Sequence, residues 1–297
     1  MGMEHKKFRI LIIGLGQIGY HNAEYMTRLG LNVEGYDVEQ SAIQRALTAK
    51  IIQREAKTFA GYDYYLICVS THNPSNMAEP HFDGLLEIAE RLEKEGTEGG
   101  LISIESTIAK GISHQICQIL RHKLHVAHVP HRFYSEDKKE HGVRQLRVLG
   151  GCKSCCTLEA LNFYARILRI PVHAAKTIEI AELSKIIENS YRFLEIAFAE
   201  ELKMFCDNEG LDFEELRVAI NSKWNTKILE ARDGIGGHCL PKDTQMFFDL
   251  EKNILPFSTL AAAIQSNRLY QMNLAKKEYF QVIFPEAYLS QKPPVVK

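Results

Sequence analysis

Phe8-Arg9-Ile10-Leu11-Ile12-Ile13-Gly14-Leu15-Gly16-Gln17-Ile18-Gly19 reads as a β-strand that empties into a glycine turn and the start of a helix. Gly14 permits the tight turn, Gly16 lets a pyrophosphate approach the helix N-terminus, and Gly19 allows helix to pack closely on strand. A helical segment and a second short strand follow, ending at Asp37, 18 residues past Gly19. A carboxylate there accepts hydrogen bonds from the ribose hydroxyls of an adenosine and repels a 2′-phosphate, which favours NAD over NADP. The expected cofactor contacts are therefore Gly14, Gly16, Gln17, Ile18, Gly19 and Asp37. Strand, glycines, helix, strand and acid occur in the order a dinucleotide site needs; the glycines alone would read as an unliganded turn.

Outward from that turn, apolar β-branched runs alternate with helical patterns: Phe8 to Ile13, Asn32 to Tyr36, Tyr64 to Val69, Leu101 to Ile104, His125 to Val129, Arg147 to Leu149 and Pro171 to His173. Such alternation predicts a parallel sheet, and near-continuous apolar runs predict helices on both faces. After about His173 the strands stop. From Ile178 apolar residues repeat at three and four until Gly210, predicting a helix of more than seven turns. Further helices are expected over Phe213 to Ser222, after Asp243, and over Thr259 to Phe280. The reading is an α/β chain: a doubly wound Rossmann domain over 1–175, an all-helical domain with a long spine helix over 176–290, and a mobile tail over 291–297.

Composition narrows the partners. The 297 residues are 45% apolar and 25% charged, and 36 Lys+Arg against 37 Asp+Glu leave a net charge of -1. Neither nucleic acid nor an anionic membrane is expected to bind, whereas a small-molecule substrate is. Seven cysteines without framework spacing, and no signal-like start, read as reduced thiols in a cytoplasmic protein. No apolar run is long enough to span a bilayer.

A second informative stretch is Gly234-Ile235-Gly236-Gly237-His238-Cys239-Leu240-Pro241-Lys242-Asp243. Glycines let the backbone approach a ligand, Pro241 fixes the exit, and a nearby ammonium favours thiolate, so the neighbourhood suits Cys239 as a reactive thiol, while inert packing of a cysteine in a turn accounts for the same stretch. Lys185 and Asn189, four apart on the long helix, leave one face together. A lysine at a cleft edge can hold an anionic oxygen and an asparagine can orient it, though a solvated helix face accounts for the same pair. Thr107, in Glu105-Ser106-Thr107 after a strand, can reach over a nicotinamide or simply cap the next helix.

These pieces together resemble the nucleotide-sugar 6-dehydrogenases, the family of UDP-glucose, UDP-N-acetylmannosamine and GDP-mannose dehydrogenases. The resemblance runs from about Phe8 to Arg268 through the glycine turn, Glu105-Ser106-Thr107, Pro130 with Arg132-Phe133, Leu149-Gly150-Gly151, Ala181-Glu182-Leu183 with Lys185 and Asn189, and Gly236 to Asp243. It implies a four-electron oxidation, in which NAD takes a hydride from a sugar's primary alcohol and Cys239 captures the aldehyde. The thiohemiacetal is oxidised again, and the resulting thioester is hydrolysed to a carboxylate. It implies that Lys185 stabilises alkoxide and oxyanions, that Asn189 and Asp243 position water and sugar, that Thr107 lies near the reacting centre, and that Lys242 and Thr71 contact the cofactor. It also implies a homodimer paired through the long helix.

Two departures stand out. The family carries a glutamate after the proline of the fifth strand's motif, where this chain has His131, whose imidazole can also act as a general base. Glu136 is a weaker substitute. The family's third domain, which grips the nucleotide, would need roughly 100 to 150 further residues. The expectation is a fragment, a separate polypeptide supplying that site, or a substrate without a nucleotide. Ser70-Thr71 replaces the family's Pro-Thr, a small change. A simple two-electron hydroxyacid dehydrogenase and a non-catalytic NAD-binding partner subunit are the rival readings. No metal is expected. His122, His125, His128 and His131 recur every third residue, which on a strand sends neighbours to opposite faces, and Cys152, Cys155 and Cys156 have no second half-site in sequence.

Overall fold

The computed structural model describes residues 8–283 apart from positions 74 and 135, and the tail over 291–297 lies outside the described residues. Two compact units divide at residue 186, Met1–Ile186 and Ile187–Lys297. In the first, the order is β1 (Arg9–Ile13), α1 (Gln17–Arg28), β2 (Asn32–Tyr36), α2 (Gln40–Thr48), β3 (Tyr64–Ile67), β4 (His72–Asn73), β5 (Asn76–Pro80), α3 (Asp83–Glu95), β6 (Leu101–Ile104), α4 (Ile112–Ile119), β7 (His125–His128), β8 (Arg147–Gly151), α5 (Ser154–Leu161) and β9 (Val172–Ala174). Then α6 (Ile178–Glu209) crosses the division, and α7 (Phe213–Asn221), α8 (Cys239–Glu251) and α9 (Thr259–Ile283) complete the second unit.

Seven strands form one sheet in the order β2-β1-β3-β6-β7-β8-β9. Its central strands are buried on both faces, so β1 splits its apolar run: Ile10 and Ile12 join one core with Met26, Val33 and Phe163, while Leu11 and Ile13 join another with Phe59, Tyr65 and Ile104. Period-two alternation of an unbroken apolar run gives this division. The chain winds from β1 to β2, then returns to the other side of β1 for β3, which opens a crevice at the ends of these strands.

Three expectations need correcting. The sheet is not wholly parallel, because β8 runs antiparallel to β7. The antiparallel hairpin β4–β5 is new; its strands are two and five residues long and mix polar with apolar residues, leaving no alternation to read. The cysteines are not all reduced thiols: Cys117 of α4 and Cys152, directly after β8, form a disulfide, because the loop leaving β8 passes alongside α4. The five others are free.

The 32-residue α6 keeps its expected limits, and Phe193 and Ala197 on it pack with Ile235 and Ala263 in the second unit's core. Among the described residues no helix is long and apolar enough to cross a membrane.

Candidate active site

The glycine turn follows β1 directly. Gly14 has φ +93°, and a Cβ there would stand 2.6 Å from the Cys68 carbonyl oxygen. At Gly19 it would stand 1.8 Å from the Gly14 carbonyl oxygen, so helix α1 reaches its place only with glycine. Gly16 differs: a Cβ there would meet nothing within 4 Å. Packing does not demand that glycine, and the space it leaves opens into a cavity of about 550 Å³ lined by Gly14, Gly16, Asp37, Phe59, Ser70 and Arg91, among others. Gly16 caps α1 without any side-chain hydrogen bond, so the N–H groups at the start of α1, from Gln17 and Ile18 onward, are available to an anion. Asp37 stands at the cavity wall, where its carboxylate accepts from Leu15 N–H at 2.5 Å and Glu39 N–H at 2.9 Å. An uncapped helix, open space at Gly16 and a carboxylate after β2 fit a dinucleotide.

The exits of β3 and β6 are tied together. Thr71 Oγ1 donates to the Thr107 carbonyl at 2.7 Å, and Ser106 Oγ donates to the Val69 carbonyl at 2.7 Å. These bonds set Thr71 and Thr107 on adjoining loops. His131, three residues past the end of β7, is half-buried. Glu136 accepts from the Tyr134 hydroxyl at 2.6 Å.

Beneath the loops lies a network that sequence reasoning missed. The fully buried Glu105 carboxylate accepts from Asn22 Nδ2 at 2.8 Å, the Tyr164 hydroxyl at 2.6 Å and Arg147 Nη1 at 3.3 Å. Removing a carboxylate and a guanidinium from water is costly, and the two further donors offset that cost. Burial and then the charge of Glu105 push the Tyr164 phenol well up, so it stays a donor. Burial and then Glu105 likewise push up the Cys68 thiol at the cavity wall, which leaves it a poor nucleophile.

A second missed carboxylate is Glu182, early on α6. It accepts from Gly111 N–H at 2.8 Å and Ser113 N–H at 2.9 Å, capping α4, whose own N-cap Gly111 has no side chain to do so. A capping acid normally lies within four residues of its helix, and this one comes from a distant element.

In the second unit, Cys239 is the first residue of α8 and is exposed. It follows a turn with positive φ at Gly234 and Gly237, and a Cβ at Gly234 would stand 2.6 Å from Gln271 Cγ. Asn267 and Gln271 of α9 hold that turn: Ile235 N–H donates to Asn267 Oδ1 at 2.8 Å, and Gln271 Nε2 donates to the Ile235 carbonyl at 3.2 Å. The thiol thus sits at a helix N-terminus, whose first-turn N–H groups lack intrahelical partners and whose dipole favours an anion.

Four residues on, Asp243 is buried and accepts from Asn189 Nδ2 at 2.5 Å and from Lys242 Nζ at 2.7 Å. Spacing of four puts Cys239 and Asp243 on one face of α8. Asn189, Lys242 and Asp243 are therefore brought together, with the Lys242 ammonium buried against Asp243. Lys185 stands four residues before Asn189 on α6 and is half-buried.

Residues 179–269 match the model of the UDP-glucose/GDP-mannose dehydrogenase family, central domain. Over 293 residues the chain is 28% identical to the UDP-N-acetyl-D-mannosamine dehydrogenase of Methanocaldococcus jannaschii, covering 91% of this chain and 68% of that protein. The solved UDP-D-ManNAc dehydrogenase from Pyrococcus horikoshii superimposes with a TM-score of 0.80 at 23% identity, over 93% of this chain and 72% of that one. A 3-hydroxyisobutyrate dehydrogenase of Mycobacterium tuberculosis shares the fold at a TM-score of 0.66 and 14% identity, over 90% of this chain and 94% of that one. The chain spans about two thirds of the length of the curated relatives it matches.

Proposed function

Because the chain carries the N-terminal and central domains of the UDP-glucose/GDP-mannose dehydrogenase family, we propose that it is an NAD-dependent oxidoreductase. In this reading it takes a sugar's primary alcohol to the carboxylate through a covalent adduct on Cys239. The observation that carries this reading is an exposed thiol at the N-terminus of α8, on the helix face that also bears the buried Asp243. A two-electron oxidation needs no such thiol.

Bound NAD would supply the two-electron acceptor. Gly14, Gly16 and the first turn of α1, with Gln17, Ile18 and Gly19, would hold its pyrophosphate; Asp37 would take the ribose hydroxyls; Thr71, Thr107 and Lys242 belong to the same proposed contact set. Once the alcohol is an aldehyde, the Cys239 sulfur adds to its carbon and the carbonyl oxygen becomes an oxyanion. The Lys185 ammonium and the first turn of α8 suit that charge. A second two-electron oxidation leaves a thioester. Water adds to it, the C–S bond breaks, and Cys239 leaves as thiolate while the carboxylate departs. Asn189 and Asp243 would orient the water, and His131 would accept its proton.

The names of the relatives point to a nucleotide sugar as substrate. A homodimer through α6 and a separate polypeptide contributing to the nucleotide-sugar site belong to the same proposal. The exposed stripe of Ile187, Tyr191, Phe198 and Phe205 on α6 supports the first, since these spacings share one helix face. A cytoplasmic location is also proposed, because Cys239 and four other cysteines are free; the Cys117–Cys152 bond is the one feature among the described residues that argues against it.

The near full-length fold match to a 3-hydroxyisobutyrate dehydrogenase keeps a simple two-electron reaction as the second reading. NADH release on incubation with UDP-sugars, GDP-mannose and hydroxyacids separates the two. Two NADH per substrate, lost in Cys239→Ser, is the expected result. One NADH per substrate, unchanged in Cys239→Ser, would sink the covalent mechanism, and NAD binding without turnover on any of them would favour a non-catalytic partner subunit.

A further inference from the structure

His125, Cys155 and Cys156 meet at the end of the sheet remote from the glycine turn. His125 opens β7 and is half-buried, while Cys155 and Cys156 occupy the first turn of α5, the former exposed and the latter buried. One imidazole nitrogen and the two sulfurs all lie within 4.8 Å of one another. Strand direction explains the meeting. Because β8 runs antiparallel to β7, with Gly151 opposite Ala127, the chain leaving β8 passes the beginning of β7, and Cys152 N–H donates to the Val126 carbonyl at 3.0 Å. The turn into α5 then sets both thiols beside His125.

We propose that His125, Cys155 and Cys156 form a site for a zinc-class divalent cation, with a solvent oxygen as the fourth ligand. In a tetrahedral site with Zn–S near 2.3 Å and Zn–N near 2.0 Å, neighbouring ligand atoms lie about 3.6–3.8 Å apart. Closing from the observed span takes at most about 1 Å, which a rotamer adjustment of exposed Cys155 supplies. Two thiolates and a neutral imidazole balance a divalent charge, and soft sulfur with imidazole selects zinc over magnesium or calcium. Two adjacent thiols resist joint ionisation unless a cation lies between them. Exposure of Cys155 leaves an entry path and an open fourth position.

The proposed ion lies away from the proposed dehydrogenase reaction. The cofactor crevice opens at the C-terminal ends of β1, β2 and β3, whereas His125 is the N-terminal residue of the parallel strand β7. It would pin β7 to α5 at the one corner where the sheet changes direction. Sequence spacing hid the site because the second half-site that C-x-x-C-C lacks is a single histidine on another strand, and Cys152 is spent in the bond to Cys117.

The test is titration of the chelator-stripped full chain with Co²⁺, read by thiolate-to-metal charge-transfer absorption, followed by displacement with Zn²⁺. About one equivalent should bind, with about two protons released per ion. Cys155→Ser and Cys156→Ser should each abolish the charge-transfer band of the two-thiolate site, and His125→Ala should weaken binding at least tenfold. Circular dichroism and NAD binding report whether each variant is folded, and the exposed Cys155 makes Cys155→Ser decisive if Cys156→Ser fails to fold. Absence of binding overturns the proposal, as does a band that survives Cys155→Ser but disappears in Cys239→Ser or Cys117→Ser.

Discussion

Gly16→Ala separates the two uses of glycine in the dinucleotide turn. Gly16 has φ -64°, which an L-residue adopts without strain, and an added methyl meets no atom within 4 Å. Substitution removes freedom from the unfolded chain, so stability should hold or rise by about 0.4–1 kcal/mol. Cofactor binding should move the other way. The methyl would occupy the space through which phosphate oxygens approach the uncapped start of α1, and losing one charge-assisted hydrogen bond there costs about 1.5–3 kcal/mol. That corresponds to NAD binding weakened about ten- to a hundredfold. Gly19→Ala is the contrast: its methyl would lie 1.8 Å from the Gly14 carbonyl oxygen and 2.9 Å from its carbon, so α1 must shift away from the turn. It should lose at least about 1–3 kcal/mol of stability. Thermal unfolding and calorimetric titration with NAD read both quantities. Wild-type affinity in Gly16→Ala would falsify the reading of that open space as a phosphate approach, and a clear drop in its melting temperature would show that the fold needs the glycine.

Asp243→Ala leaves the Lys242 ammonium buried without its partner, and denaturant unfolding should show a loss of about 3–5 kcal/mol, largely restored by adding Lys242→Met. A single variant as stable as the parent would refute the closed pair. Glu182→Ala strips two N–H groups of α4 of their acceptor; at about 1–3 kcal/mol for each buried donor, faster hydrogen exchange in α4 and a lower melting temperature are expected, with Glu182→Gln intermediate. Glu200 is fully buried, neither of its carboxylate oxygens has a hydrogen-bond partner among the described residues, and burial pushes its carboxyl up from 4.5 to about 7. Between those values the folded chain keeps a proton that the unfolded chain has released, so stability should fall as pH rises, by on the order of 3 kcal/mol in all. Glu200→Gln should flatten that part of the profile, and identical slopes in the two proteins would exclude Glu200 as its source.

Central strand positions were legible because strands covered on both faces carry unbroken apolar runs, and the seven runs read from sequence are the seven strands of the sheet, with ends differing by a residue or two. Direction was not legible. Nothing in Arg147 to Gly151 distinguishes a parallel from an antiparallel neighbour, since both bury the same side chains. The glycine turn could be read because its conformational demands are local. Glu105 could not, because its donors Asn22, Arg147 and Tyr164 come from three separate stretches and a carboxylate's value there depends on all of them. The Cys117–Cys152 bond and the approach of His125 to Cys155 escaped for the same reason: only the reversal of β8 sets those residues side by side.

The place where α4 receives its cap bears on how this chain can be divided. The boundary between the compact units falls inside α6, and Glu182 lies on the Rossmann side of it. Ala181 lies there too, its methyl 3.1 Å from the point where a Cβ on Gly150 would stand. A cut at residue 175, where the strands end, would therefore take with it the acceptor that closes α4 and the helix that covers Gly150. The sheet-bearing half is portable only with the opening turns of the spine attached, and any shuffling of this unit between proteins has to carry that stub of helix with it.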